Sequence, residues 1–332
     1  MNFNAIKELL APYDGDNPGC AVTVSHKGIE LFNYVAGYGD LEHKIPITNQ
    51  SNFRLASVTK QFTAIGILVL IQDGLLSLNT KLTEFFLDFP EYGKYISVYQ
   101  LLTHTSGIQN YEELMEKDGI QISDNQVLEL LSHQTEGYFK PGTKYRYSNG
   151  GYCLLKLIIE KVSGKSFGAF MREKLFSPLG MGNTYVNEEG LGRIPNRAYG
   201  YSYRSGVPIR TDQDATSATV GDGGVYSSIM DLTKWNRVFY SDVILTEQSR
   251  KMIFEKYVTT DEDDNSSYGF GLFLKKHNDE EIAYHGGSSI GFRTGMYTIP
   301  AKELTVFFLS NRTGGNGAKT TEKIADIILA QV

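Results

Sequence analysis

Apolar positions fall into distinct periodicities along the chain, and these mark out elements at both ends. Residues 3–11 carry apolar side chains at helical spacing and predict a short amphipathic helix. Two β-rich runs follow, 20–25 and 29–35, and the His26-Lys27-Gly28 between them predicts a hairpin turn. The stretch 57–71 is of another kind. From Ile65 onward it is apolar on every side, which predicts a central buried helix closed near Asp73-Gly74 by a glycine suited to a C-cap.

Residues 75–215 alternate helical patterns (124–132, 151–162, 167–175) with loops punctuated by Pro-Gly, Ser-Gly and Pro-Leu-Gly. Beyond them, 269–274, 282–285, 293–299 and 304–309 read as strands and 318–330 as a closing helix. Strands at both ends around a helical middle predict an antiparallel sheet in which the first hairpin joins the last three strands. The two terminal helices and the helix beginning at Ser57 should cover it. The expectation is one α/β domain over 1–332. Its α/β part is 1–74 and 216–332, and a mostly helical insertion is 75–215.

Composition narrows the function. The 332 residues are 41% apolar, enough for a large core without staples. A formal charge of −6 leaves no basic face for phosphate neutralisation, so nucleic acid is not an expected partner. The longest apolar run, 65–71, is far short of the ~20 residues that span a bilayer, so no membrane helix is expected. The amino terminus has neither a basic start nor a signal-like apolar run, which predicts a cytoplasmic protein, with a secreted mature form already trimmed of its signal as the alternative. Cys20 and Cys153 are expected as reduced core residues. The acidic run 261–265 lacks the glycine and distal glutamate of a calcium loop and reads as a solvated loop. The six histidines show no paired ligand spacing, so no metal or organic cofactor is implied.

Three segments can carry chemistry. Ser57-Val58-Thr59-Lys60 sets a hydroxyl and an amine three residues apart, on one face of a first helical turn. A lysine beside a dry core is penalised in its charged form and can accept a proton, while the turn's backbone N–H groups can meet an oxyanion. Alone, the same four residues equally describe a capping serine followed by a surface lysine. Tyr147-Ser148-Asn149 leads a turn into a helix and presents a phenol and an amide together. The phenol can shuttle a proton and the amide can orient a carbonyl; equally, Tyr147 is one of 21 tyrosines and Asn149 a cap. Tyr284-His285-Gly286-Gly287-Ser288 ends a predicted strand, where paired glycines admit a substrate backbone to the strand edge or mark a bulge. The Ser288 N–H is a second oxyanion donor there, and His285 can hold or protonate the tyrosine system.

The order Ser-x-x-Lys, Tyr-x-Asn, then a basic residue with Gly-Gly resembles the serine β-lactamase and penicillin-binding-protein superfamily, in the branch with class C β-lactamases, D,D-peptidases, D-aminopeptidases and related esterases. Further segments fit the same branch: Leu101-Leu102-Thr103-His104-Thr105-Ser106-Gly107, Pro178-Leu179-Gly180-Met181 and Gly223-Gly224-Val225-Tyr226-Ser227-Ser228. The resemblance runs from about residue 18 to 312. It implies a β-lactamase/transpeptidase-like fold and an acyl-enzyme on Ser57, with Lys60 and Tyr147 exchanging the proton. Asn149, His285, Gly286, Gly287 and Ser288 then contact substrate, and His104 braces the loop beneath without reacting.

The chain also departs from that pattern. His-Gly-Gly stands where β-lactamases and many transpeptidases carry Lys-Thr-Gly, so the charge and hydroxyl that grip a substrate carboxylate are both missing. This weighs against penicillin hydrolysis. Arg293 either restores the charge or faces solvent. The expected reaction is hydrolysis of an amide or ester in a D-amino-acid peptide, a β-lactam or a small ester, with β-lactams also as candidate covalent ligands, by a monomer or weak oligomer. The competing expectation is a catalytically silent penicillin-binding or sensor protein of the same fold.

Overall fold

The computed structural model describes residues 2–116, 119–188, 193–260 and 265–331. Most of the acidic run, 261–264, lies outside the described residues. The first hairpin forms as its pattern requires: β1 (Cys20–His26) and β2 (Ile29–Ala36) meet at Lys27 and Gly28, whose φ values of 51° and 76° give the left-handed turn that matches strand twist. Six strands from the other end complete the sheet. They are β3 (Val258–Thr259), β4 (Ser267–Tyr268), β5 (Phe273–His277), β6 (Glu280–Ser289), β7 (Phe292–Ile299) and β8 (Leu304–Ser310). The spatial order is β3-β4-β5-β6-β7-β8-β1-β2 with every neighbour antiparallel, so β1 lies between β8 and β2.

Alternation along β8 divides its side chains between two cores. Val306 and Phe308 pack with Ile6, Leu10, Ile324 and Ile328 of the terminal helices α1 (Asn4–Leu10) and α5 (Gly317–Leu329). Phe307 and Leu309 face the opposite way, into the larger core around α2 (Lys60–Gln72). That helix is buried from Lys60 to Leu70, and burying each of its large apolar side chains stabilises the fold by about 1.5–3 kcal/mol. Its flank is fixed by Phe62 stacked 4.0 Å from Trp235, whose indole N–H donates to Gln61. The helical region contributes α3 (Asp124–Ser132) and α4 (Asn149–Ser163), the latter closed by Gly164 in the left-handed conformation.

Several boundaries differ from expectation. The α-helix starts at Lys60, because Ala56–Thr59 forms a tighter 3-10 turn. The strand expected over 269–274 is broken: Gly271 has φ of 79°, and a Cβ there would lie 2.8 Å from the Gln61 Cα and the Lys60 carbonyl. Backbone is pressed directly onto the start of α2. The strand expected to end at 285 continues to Ser289, so His285-Gly286-Gly287-Ser288 lies within β6. Small sheets outside the main one are additional to the expected elements, among them Phe53–Arg54 with Val225–Ser227 and Tyr185–Val186, since two- and three-residue strands carry no readable period. Cys20 and Cys153 are buried and free. Among the described residues, no helix is long and apolar enough to cross a membrane.

Candidate active site

The chain enters the site through Ala56, which has φ of 49°, a conformation that costs a non-glycine residue on the order of 1–3 kcal/mol. Surrounding contacts hold it there. Thr294 of β7 donates its hydroxyl to the Leu55 carbonyl at 2.6 Å, and Gly287 of β6 packs so closely that a Cβ would lie 2.3 Å from that same carbonyl. This close approach is what the glycine provides: it brings the strand bearing Ser288 against the turn bearing Ser57.

Lys60 is fully buried, and its Nζ meets three acceptors: Ser57 Oγ at 3.2 Å, Asn149 Oδ1 at 2.8 Å and the Asp222 carbonyl at 3.0 Å. The Tyr147 ring packs beside this pair, its centroid 4.9 Å from Lys60 Nζ, and Ser57 and Lys60 both act on its phenol. Burial raises the pKa of that phenol above its ordinary value, and the neighbouring Lys60 charge offsets the rise only in part. The 3-10 turn preserves the predicted pairing, because residues three apart eclipse one another in that geometry. Asn149 is the first residue of α4, with Ser148 as its cap. Its amide nitrogen donates to Glu112 at 2.8 Å.

Two histidines lie beneath the phenol. The His104 ring is buried 4.3 Å from that of Tyr147 and accepts the Ser148 N–H at Nδ1, so it braces the turn carrying the tyrosine. Its pKa is driven well below the ordinary value by burial, then by Lys60 and His285. His285 is also buried, and burial with the Lys60 charge depresses it to about 3. Its Nδ1–H donates to the Gly286 carbonyl at 2.7 Å, leaving Nε2 to accept from the Tyr268 hydroxyl at 3.3 Å. The histidine of the third motif is therefore neutral near pH 7, and its hydrogen bond goes to Tyr268 in place of Tyr147. Burial, invisible in the motif, removes the basic character expected of it.

Ser57 opens into a cavity of about 570 Å³ that is also lined by Tyr147, His285, Gly286, Gly287 and Ser288. Ser288 is exposed and sits opposite Arg293 in the β6–β7 ladder. Arg293 lines the cavity as well, donating to the Ser289 and Phe292 carbonyls at 2.9 and 2.7 Å. This decides between the two orientations open in the sequence. Lys319 adds a second cation to the wall, whereas Lys275 is neutralised by Glu322 at 2.8 Å. The cavity thus carries net positive charge although its histidine does not.

Every residue singled out as catalytic or substrate-binding comes to one place: Ser57, Lys60 and Asn149 in a hydrogen-bonded cluster with Tyr147 packed against it, and His285 to Ser288 along the facing strand. Sequence reasoning missed Asp222, Glu112 and Tyr268. Asp222 acts through its backbone carbonyl, which no side-chain pattern reveals. Glu112 lies in the first turn of a short helix, Tyr111–Leu114, capped by Asn110 soon after the Leu101–Gly107 segment, and an acid there was the available signal. Among the described residues, no group of three His, Cys, Asp or Glu is arranged to hold a metal ion.

Comparison with known proteins places this geometry among relatives. The family profile described as "Beta-lactamase" matches residues 4–331. The chain is 33% identical over 307 residues to penicillin-binding protein 4* of Bacillus subtilis (strain 168), covering 88% of this chain and 67% of that protein. It is 27% identical over 308 residues to Protein flp of Staphylococcus aureus (strain NCTC 8325 / PS 47), covering 90% of this chain but only 60% of that protein's length. Among solved structures, the octameric penicillin-binding protein homologue from Pyrococcus abyssi superposes with a TM-score of 0.89 at 25% identity, over 99% of this chain and 78% of that one. The D-amino acid amidase from Ochrobactrum anthropi SV3, complexed with L-phenylalanine amide, superposes with a TM-score of 0.84 at 26% identity, over 98% and 97% of the two chains.

Proposed function

This chain belongs to the beta-lactamase family, and we propose that it is a serine acyl hydrolase in which Ser57 attacks the carbonyl of an amide or ester. The observation that carries this reading is the cluster in which the buried Lys60 amine bonds the Ser57 hydroxyl with the Tyr147 phenol packed beside them. The active form of the Lys60–Tyr147 pair lacks one proton. Three acceptors around Nζ match the three N–H bonds of an ammonium, so we assign the missing proton to Tyr147, where the Lys60 charge offsets part of the burial that holds the phenol protonated. Tyr147 takes the Ser57 proton as Oγ bonds to the carbonyl carbon. The tetrahedral oxyanion is met by the N–H groups of Ser57 and Ser288. As the intermediate collapses, the same proton passes to the leaving nitrogen or oxygen. Water then attacks the acyl-enzyme, losing a proton to the pair, which returns it to Ser57 Oγ.

The wall charge narrows the substrate. Arg293 and Lys319 favour an acyl donor or leaving group with a carboxylate, and a cavity of about 570 Å³ suits a small molecule or dipeptide-sized ligand. An amino-acid amide or short peptide fits these terms, as the amidase named above accords with. Its exposed strand edge at Ser288 lets a peptide backbone align with β6.

The test is covalent. A fluorophosphonate or penicillin probe should label Ser57, and Ser57→Ala should abolish both labelling and hydrolysis of p-nitrophenyl esters. Turnover that survives the substitution overturns the assignment. A stable adduct without turnover identifies the silent, penicillin-binding alternative.

A further inference from the structure

We propose that Asp124 is a positioning residue for acylation: it fixes the 220–222 segment so that the Asp222 carbonyl is held against Lys60. The inference rests on the Ser57–Lys60 reading above. It extends that reading to a residue outside the cleft, on the first turn of α3.

Asp124 is buried, and its carboxylate accepts two consecutive backbone N–H groups, Val220 on Oδ2 at 3.0 Å and Gly221 on Oδ1 at 3.1 Å. The segment so held is tied on its other side to the nucleophile's helix. Gly221 offers its carbonyl to the Thr63 hydroxyl at 2.7 Å, Asp222 offers its own to Lys60 Nζ at 3.0 Å, and the Val225 N–H donates to Thr59 at 3.2 Å. Little slack exists between them. A Cβ on Gly221 would lie 2.3 Å from the Tyr152 carbonyl and 2.6 Å from the Lys156 Cβ, so the segment is wedged against α4. One carboxylate therefore registers the backbone that supplies one of the three acceptors around the active-site amine.

The arrangement needs both carboxylate oxygens as acceptors. Protonation turns one of them into an O–H donor facing an N–H, and one of the two bonds is lost. Four groups bear on that titration. Lys156 and Cys153 approach from α4, Asp222 from the segment itself, and Glu160 pairs with Lys156 at 2.9 Å. Burial pushes the Asp124 carboxyl up to about 6; Lys156 opposes this and Asp222 adds to it. A cavity of about 690 Å³, lined by Asp124, Lys156, Glu160 and Val220 and not by Ser57, gives solvent protons access to the carboxylate.

The experiment is the rate of Ser57 labelling by a fluorophosphonate between pH 5 and 8, for the wild type, Asp124→Asn and Lys156→Met. The wild-type rate should fall roughly 10-fold or more across a step with its midpoint near 6, the size of loss that ångström-scale misplacement causes. Asp124→Asn should label slowly with no step. Lys156→Met, which removes the charge that lowers the Asp124 carboxyl, should move the step to higher pH; a merely structural aspartate would not respond. If Asp124→Asn does not fold, the wild type and Lys156→Met decide alone. Labelling with no step near 6, or a step unmoved in Lys156→Met, overturns this inference and leaves the Ser57 reading standing. Absence of Ser57 labelling at every pH overturns both.

Discussion

Lys60 Nζ lies 2.8 Å from the Asn149 side-chain oxygen, 89 positions away along the chain. The contact joins α2 to the first residue of α4, and Asn149 then extends it to Glu112 at the exposed side. A buried amine is thereby connected through one amide to a carboxylate near solvent. With the Asp222 carbonyl and the Ser57 hydroxyl, this satisfies the donors that burial would otherwise leave costly.

The proton path predicts a matched pair of losses. Tyr147→Phe removes the base, and Lys60→Met removes the charge that draws the phenol's pKa down while keeping the side chain's bulk. Each should slow acylation by at least ~10²-fold, measured as single-turnover labelling of Ser57. The wild-type rate should rise with pH above neutrality as the pair loses its proton, and that rise should vanish in Tyr147→Phe. Effects within a few fold would place the base elsewhere.

Substrate charge should be read by Arg293. Arg293→Ala is expected to raise KM for carboxylate-bearing amides about 10-fold or more, the worth of a charge-assisted hydrogen bond, while hydrolysis of a neutral p-nitrophenyl ester stays within a few fold. Equal losses on both substrates would mean that the guanidinium only braces the Ser289 and Phe292 carbonyls.

Gly287 offers a steric test of the strand–turn contact. In Gly287→Ala the new methyl would lie 2.0 Å from the Thr294 hydroxyl and 2.3 Å from the Leu55 carbonyl, so β6 must retreat from the turn before Ser57. Stability should drop by about 1–3 kcal/mol in urea titrations, and labelling should fall with it. Gly286 meets only Ala318 atoms at 3.3 Å and beyond, so Gly286→Ala should be much the milder change.

His285 makes the fold acid-sensitive in a defined direction. Its folded value of about 3 lies below the ordinary 6.5, so between those limits the unfolded chain binds the extra proton. Stability is then full above about 6.5 and declines as pH falls, with a slope approaching 1.4 kcal/mol per pH unit for this one group. Denaturant titrations at pH 7, 6 and 5 should show a shallower decline in His285→Gln. An identical decline would assign the acid sensitivity to other groups, His104 among them, since its value is depressed in the same sense.

How much of this was readable beforehand follows from where the information resides. The hairpin, the buried helix and the late strands were legible because period and apolar continuity act locally. Ser57 and Lys60 were legible because a spacing of three survives the change from α-helix to 3-10 turn. The neutrality of His285 was not, because a motif names a side chain while burial and a nearby lysine set its charge. Nor were Asp124 and Asp222: one works by holding backbone and the other by being backbone, and neither leaves a mark on the spacing of reactive groups.

The position of β1 between β8 and β2 bears on how the molecule is made. As the chain leaves the ribosome, the early hairpin has no partner for one of its edges until the strand Leu304–Ser310 has been synthesised, since it pairs with β1 from His26–Leu304 to Cys20–Ser310. Ser57 emerges long before the strand that will face it. Closure of the cleft is thus a late event of high contact order, and until then an open edge must be kept from other nascent chains.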